Sequence, residues 1–162
     1  MVILVMGVSG SGKTTLGERL ASELGWRFID ADDHHPPENV RKMASGVPLE
    51  DTDRWPWLAR LNAMLAGQSG IVLACSALKE AYRRRLAEGV DDFRTVFLRG
   101  SFDLIEARMR ARKHRYMPAS LLESQFRTLE SPEHAVVVDV SGTPEAVIAE
   151  MKAKLGLAPS TT

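Results

Sequence analysis

Residues 6–15 read MGVSGSGKTT, and Gly7, Gly12, Lys13 and Thr14 fit the phosphate-binding pattern G-x-x-x-x-G-K-[ST]. Ahead of them, residues 2–6 (VILVM) form an apolar run that reads as a buried strand. Behind them, residues 13–24 read as a helix. Strand, glycine loop and helix in that order give the motif a mechanism. Glycines let the backbone wrap an anion, several N–H groups point inward, and the helix N-terminus adds partial positive charge. Gly7, Val8, Ser9, Gly10, Ser11, Gly12, Lys13, Thr14 and Thr15 are therefore the expected binders of nucleotide phosphates. Lys13 is placed to reach the β- and γ-phosphates, and the Thr14 hydroxyl to ligate Mg²⁺.

Outward from the loop, short apolar runs alternate with helical stretches. Residues 27–30, 71–75, 94–98 and 135–140 join 2–6 as five expected strands. The near-continuous apolar runs suit parallel strands covered on both faces. Helices are expected over 36–45, 53–67, 79–88, 101–112, 118–129 and 143–155, the last opened by Thr143-Pro144-Glu145. The alternation predicts an α/β P-loop NTPase fold: a five-stranded, mostly parallel sheet flanked by helices, in one domain over 1–162.

Composition narrows the function. Lys plus Arg and Asp plus Glu number 21 each, so no global field favours nucleic acid or an anionic membrane. No apolar run approaches the roughly 20 residues needed to span a bilayer. The opening lacks a basic leader and a cleavage site, and the single cysteine, Cys75, excludes an intramolecular disulfide. A cytoplasmic protein is expected, with Cys75 as a small buried hydrophobe.

Several P-loop classes fall away. The guanine-reading N-K-x-D is absent, and DVSG at 139–142 ends the last strand, so it reads as a turn. Ser76, after the third strand, stands where many ATPases carry an acid. Carboxylates come instead from FIDADDHHP, which places Asp30, Asp32 and Asp33 at the carboxyl end of the second strand, where such sheets bind ligands. That layout is one of small-molecule kinases.

Three further stretches carry a resemblance: DADDHHPPENVRKMASGVPLEDTDRWPWL (30–58), CSALKEAYR (75–83) and RKHRYMPASLLESQFRTLE (112–130). With the loop, they resemble the gluconokinase family of small P-loop kinases over most of the chain. The resemblance implies transfer of the ATP γ-phosphoryl group to the terminal hydroxyl of D-gluconate, with Mg²⁺, and a homodimer. It implies a substrate segment near 30–58 and a lid near 112–118. The likeness to shikimate-kinase-like enzymes puts Asp32 at the acceptor hydroxyl, leaving Asp30 for Mg²⁺ through water. The alternative is that these acids cap the helix near Pro36, for which Asp33 is the better candidate.

An aldonic acid needs a cation and several polar partners. Arg54 offers a fork for the carboxylate, or else an ion pair with Glu50 or Asp51. Asn39 and Lys42 share one helix face, and His35 is a hydrogen-bond donor for a sugar hydroxyl. Lys79 completes the expected substrate set. Trp55 and Trp57 fit either packing or stacking. Arg108, Arg112 and Arg115 align on a helix as lid cations for the transferring phosphate, with Arg112 foremost; a solvated basic face is the other reading. YRRRL (82–86) reads as surface. The acceptor alternatives are shikimate or a nucleoside monophosphate, and the non-enzymatic one is a nucleotide-binding switch.

Overall fold

The computed structural model describes residues 1–111 and 119–157. Five strands, β1 (Val2–Met6), β2 (Arg27–Asp30), β3 (Ile71–Ala74), β4 (Phe93–Arg99) and β5 (Val136–Asp139), form a sheet in the order β2-β3-β1-β4-β5. Every pairing is parallel, so the mostly parallel sheet expected from sequence is wholly so. Around it lie α1 (Lys13–Leu24), α2 (Pro37–Ala44), α3 (Asp51–Leu65), α4 (Glu80–Ala87), α5 (Phe102–Ala111), α6 (Ala119–Thr128) and α7 (Pro144–Leu155). Among the described residues, no helix is long and apolar enough to cross a membrane.

β1 is buried along its whole length because both sheet faces are covered. Ile3 and Val5 pack with Leu16 and Leu20 of α1 and with Ile148 and Met151 of α7. Val2, Leu4 and Met6 point the other way, toward Leu58, Leu61 and Leu65 of α3 and Leu86 of α4. This double burial is the physical reason for the unbroken apolar runs. Register then levels the carboxyl ends: Val5 pairs with Ala74, and Ala74 pairs with Asp30. The loop after β1 and the acids after β2 therefore reach one rim of the sheet.

Two local departures from the sequence expectation have clear causes. α3 begins at Asp51, two residues earlier than expected, because Glu50 and Asp53 form a reciprocal capping box. Asp33 does not cap α2, whose N-cap is Pro36 without a side-chain bond. Instead the chain leaves β2 directly into a 3₁₀ turn (Ala31–His34), and Asp30 caps that turn by accepting from the Asp32 N–H at 3.0 Å. The DVSG stretch is a turn held by Ser141 N–H donating to Asp139 Oδ1, and Thr143 caps α7.

Candidate active site

The phosphate loop runs from Gly7 to Gly12 between β1 and α1. A Cβ at Gly10, where φ is +80°, would lie 2.6 Å from Met109 Cγ, so only glycine fits under α5 there. A Cβ at Gly7 would lie 2.7 Å from Ser11 Oγ and 3.1 Å from the Leu98 carbonyl oxygen. α1 has Gly12 as its N-cap and so no side-chain cap. Its first N–H groups are thus left for another acceptor, and the helix dipole favours an anion. The buried Ser11 hydroxyl has no partner among the described residues. Lys13 Nζ donates to the Val8 carbonyl at 3.0 Å, folding back across the loop. Burial pushes the Lys13 pKa down, opposed by the nearby Asp32 and Asp30 carboxylates.

The acids after β2 divide their contacts. Thr14 Oγ1 donates to Asp30 Oδ2 at 3.0 Å, while Asp30 Oδ1 holds the Asp32 N–H. A hydroxyl and a carboxylate in contact are hard oxygen donors of the kind Mg²⁺ takes while keeping several waters. These two residues fit that ion. The Asp32 side chain, 82% exposed, projects from the turn and is open to a substrate.

His35 lies beneath it, stacked on Trp57 with ring centroids 4.1 Å apart. Trp57 is buried and donates through Nε1 to the Ala31 carbonyl at 2.8 Å, so it packs. Asn39 Nδ2 donates to the Asp53 carbonyl at 2.9 Å and approaches His35 Nδ1 at 3.2 Å. The first bond orients the amide, so Nδ1 of neutral His35 accepts and the ring proton sits on Nε2. That nitrogen is 4.0 Å from Asp32 Oδ1. Burial lowers the His35 pKa, against the pull of Asp32. Lys42 Nζ lies 2.9 Å from both Asp53 carboxylate oxygens. The structure thus turns Asn39 and Lys42 toward α3, where they lock α2 in place.

Arg54 and Lys79 meet around Asp51. Lys79 Nζ is 3.3 Å from Asp51 Oδ1, the Tyr82 hydroxyl donates to the same oxygen, and Arg54 Nη1 is 3.9 Å from it. Arg54 also donates to the Leu49 carbonyl at 2.8 Å. The Tyr82 hydrogen bond, then Lys79, hold the Asp51 carboxyl below the usual range. Trp55, 39% exposed, sits edge-on to Tyr82.

Tyr82 and Arg83 correct the surface reading of YRRRL, since both are buried. Arg83 donates to the carbonyls of Ala77 and Glu130 at 2.7 and 2.8 Å. The Glu130 acceptor lies 47 residues away, and only a helix phase placing Tyr82 and Leu86 inward could have pointed to the burial of Arg83. Arg84 and Arg85 do form surface pairs, with Glu80 and Glu88. Cys75 is buried, and burial pushes its thiol up to about 12. Arg108 stands half-buried in the last turn of α5. Arg112 and Arg115, with the expected lid at 112–118, lie outside the described residues.

A parallel sheet, an uncapped glycine-loop helix with its lysine, and a hydroxyl–carboxylate pair on the same rim define a P-loop kinase. A shikimate kinase family model matches residues 9–153. A probable gluconokinase of Mus musculus is 48% identical, covering 94% of this chain and 96% of its own. The thermoresistant gluconokinase of Escherichia coli is 42% identical, with 91% and 89% covered. The crystal structure of a gluconokinase from Sinorhizobium meliloti superimposes with a TM-score of 0.89 at 46% identity, covering 96% of this chain and 91% of that one. The chain belongs to the gluconokinase family, within the shikimate kinase group.

Proposed function

We propose that this chain transfers the γ-phosphoryl group of ATP to D-gluconate, giving 6-phospho-D-gluconate. One observation carries the mechanism. Asp32 stands exposed two residues beyond Asp30, and Asp30 is bonded to Thr14 of the phosphate loop. A base for the acceptor and a metal-binding pair are thereby held on one short segment beside the loop. The substrate assignment is supported by gluconokinase relatives at 42–48% identity over nearly the whole chain.

In this reading the α1 N-terminus and Lys13 bind the triphosphate, and Lys13 exchanges the Val8 carbonyl for phosphate oxygen. Thr14 and Asp30 hold Mg²⁺, which when bound neutralises phosphate charge. Asp32 accepts the hydroxyl proton as the new bond forms. His35, neutral with its proton on Nε2, steadies Asp32 or a sugar hydroxyl. Arg54 and Lys79 supply the cations for the gluconate carboxylate, displacing part of the hold of Asp51 on them. Arg108 and the lid residue Arg112 stabilise the transferring phosphate while closure excludes water, the competing acceptor. A single domain, a homodimer and a cytoplasmic location belong to the same proposal; the first rests on chain length, the second on the family resemblance and the third on composition.

An ADP-release assay across gluconate, shikimate, nucleoside monophosphates and no acceptor tests this. Gluconate is expected to give the fastest turnover by a wide margin. Faster turnover with another acceptor refutes the substrate, and equal release without acceptor refutes the kinase.

A further inference from the structure

Ser9, third residue of the phosphate loop, has its backbone N–H and its hydroxyl bound to one side chain 116 residues further along the chain. Its N–H donates to Gln125 Oε1 at 2.7 Å, and Gln125 Nε2 donates to Ser9 Oγ at 2.9 Å. A primary amide is the one side chain end that accepts and donates side by side in this way.

Gln125 sits on α6, which is itself fixed. Leu122 of this helix is buried in the core, and Phe126 lies edge-on to Phe102 of α5 at 5.7 Å. Just beyond the helix, the Glu130 N–H donates to the Leu78 carbonyl, and Glu130 Oε1 accepts from the Glu80 N–H, both at 2.8 Å. Buried Arg83 ties the Glu130 and Ala77 carbonyls together. The amide is therefore presented from a braced support, and its ordering cost is met by contacts made elsewhere.

A loop containing Gly7, Gly10 and Gly12 loses much conformational freedom when it closes round an anion. A restraint already present in the ligand-free protein removes part of that loss and so favours binding. With the Ser9 N–H bound to Gln125 and the Ser11 N–H donating to the Val8 carbonyl at 3.2 Å, the N–H groups that open α1 are the ones left to face the phosphates. We infer that Gln125 is a positioning residue of the phosphate loop: it holds Ser9 in the ligand-competent shape without touching the nucleotide. The inference rests on reading this loop as the ATP site.

The test is calorimetric titration of MgADP into wild type, Gln125→Ala, Gln125→Glu and Ser9→Ala, with steady-state kinetics and melting of each ligand-free protein. Gln125→Ala should raise the MgADP Kd and the MgATP KM about tenfold, with the gluconate KM within about twofold. Ser9→Ala keeps the N–H bond and should cost less than about threefold. Gln125→Glu preserves length and packing but sets a negative charge beside the phosphates. It should weaken MgADP at least as much as alanine does while melting like wild type, which covers the case of an alanine variant that does not fold. MgADP affinity unchanged in the folded variants, or a gluconate KM raised as far as that for MgATP, overturns the inference. A wild-type protein that binds no MgADP overturns the ATP-site reading itself, and this inference with it.

Discussion

The proposed nucleotide side and the proposed acceptor side of this site are built by different means. From Gly7 to Thr15 the binding groups are mostly backbone: glycine turns and a helix end without a side-chain cap. Around residues 30–58 and 77–83 the polar side chains bind one another. Asn39 and Lys42 are committed to Asp53, and Lys79, Arg54 and Tyr82 gather round Asp51. A backbone-built site can receive an anion with little rearrangement. A side-chain-built site must trade internal bonds for substrate bonds, so its affinity is a difference between two sets of contacts. The first should fail abruptly when one charge is removed, and the second by degrees.

The sharpest way to break that contrast is Lys13→Ala. Its kcat should fall by about 10³-fold, as for loss of a principal transition-state donor. Because burial depresses the Lys13 pKa, the ligand-free fold disfavours its charge, and the melting temperature should hold or rise. A large loss of apo stability would give Lys13 a structural role and erase the distinction.

Asp32→Asn comes next. It keeps the size but removes the proton acceptor, and kcat should drop by roughly 10²-fold with little change in MgATP affinity. Asp30→Asn should instead weaken Mg²⁺ binding, so that half-maximal rate needs more Mg²⁺. Side-by-side titrations with Mg²⁺ and gluconate separate the two, and the opposite pattern would exchange their roles.

Arg54→Lys probes the acceptor network more gently. Lysine keeps the charge but loses the fork, so the gluconate KM should rise about tenfold while the MgATP KM stays put. A raised MgATP KM with an unaltered gluconate KM would move Arg54 to the nucleotide side.

The smallest effect concerns pH. His35 has a pKa lowered by burial, so between its unfolded value of about 6.5 and its folded value the unfolded chain binds more protons. Its contribution to stability is complete above that window and is lost as pH falls through it. Carboxylates such as Asp51 and Asp53, with lowered pKa values, lose theirs only at more acidic pH. Melting temperature should therefore sag as pH falls below about 6.5 in wild type, and less so in His35→Gln. Equal slopes in the two proteins would remove His35 from the network.

The same contrast explains what could be read from the sequence. The glycine loop and all five strands were legible because their signals are local: a spaced motif, and apolar runs imposed by double burial. The acids after β2 were legible through their place at a strand end. The Asp51–Tyr82–Lys79 cluster and the burial of Arg83 were not, since each joins elements far apart in the chain. Asn39 and Lys42 share a helix face as expected, but no local pattern shows that the face turns to Asp53. Asp33 was misjudged as a cap because a four-residue 3₁₀ turn has no periodicity to betray it.

The central place of β1 has a consequence for biosynthesis. Val2–Met6 is made well before either of its two neighbours, β3, starting at Ile71, and β4, starting at Phe93. At about 5–20 residues per second, the ribosome supplies the first of these partners roughly 3–14 s later. Throughout that interval VILVM is an apolar, β-branched segment with both edges open, the kind of sequence that pairs with other chains. A nascent chain halted before Phe93 keeps one of those edges bare. For this fold, the strand that carries the phosphate loop is also the one most in need of shelter until β4 has been translated.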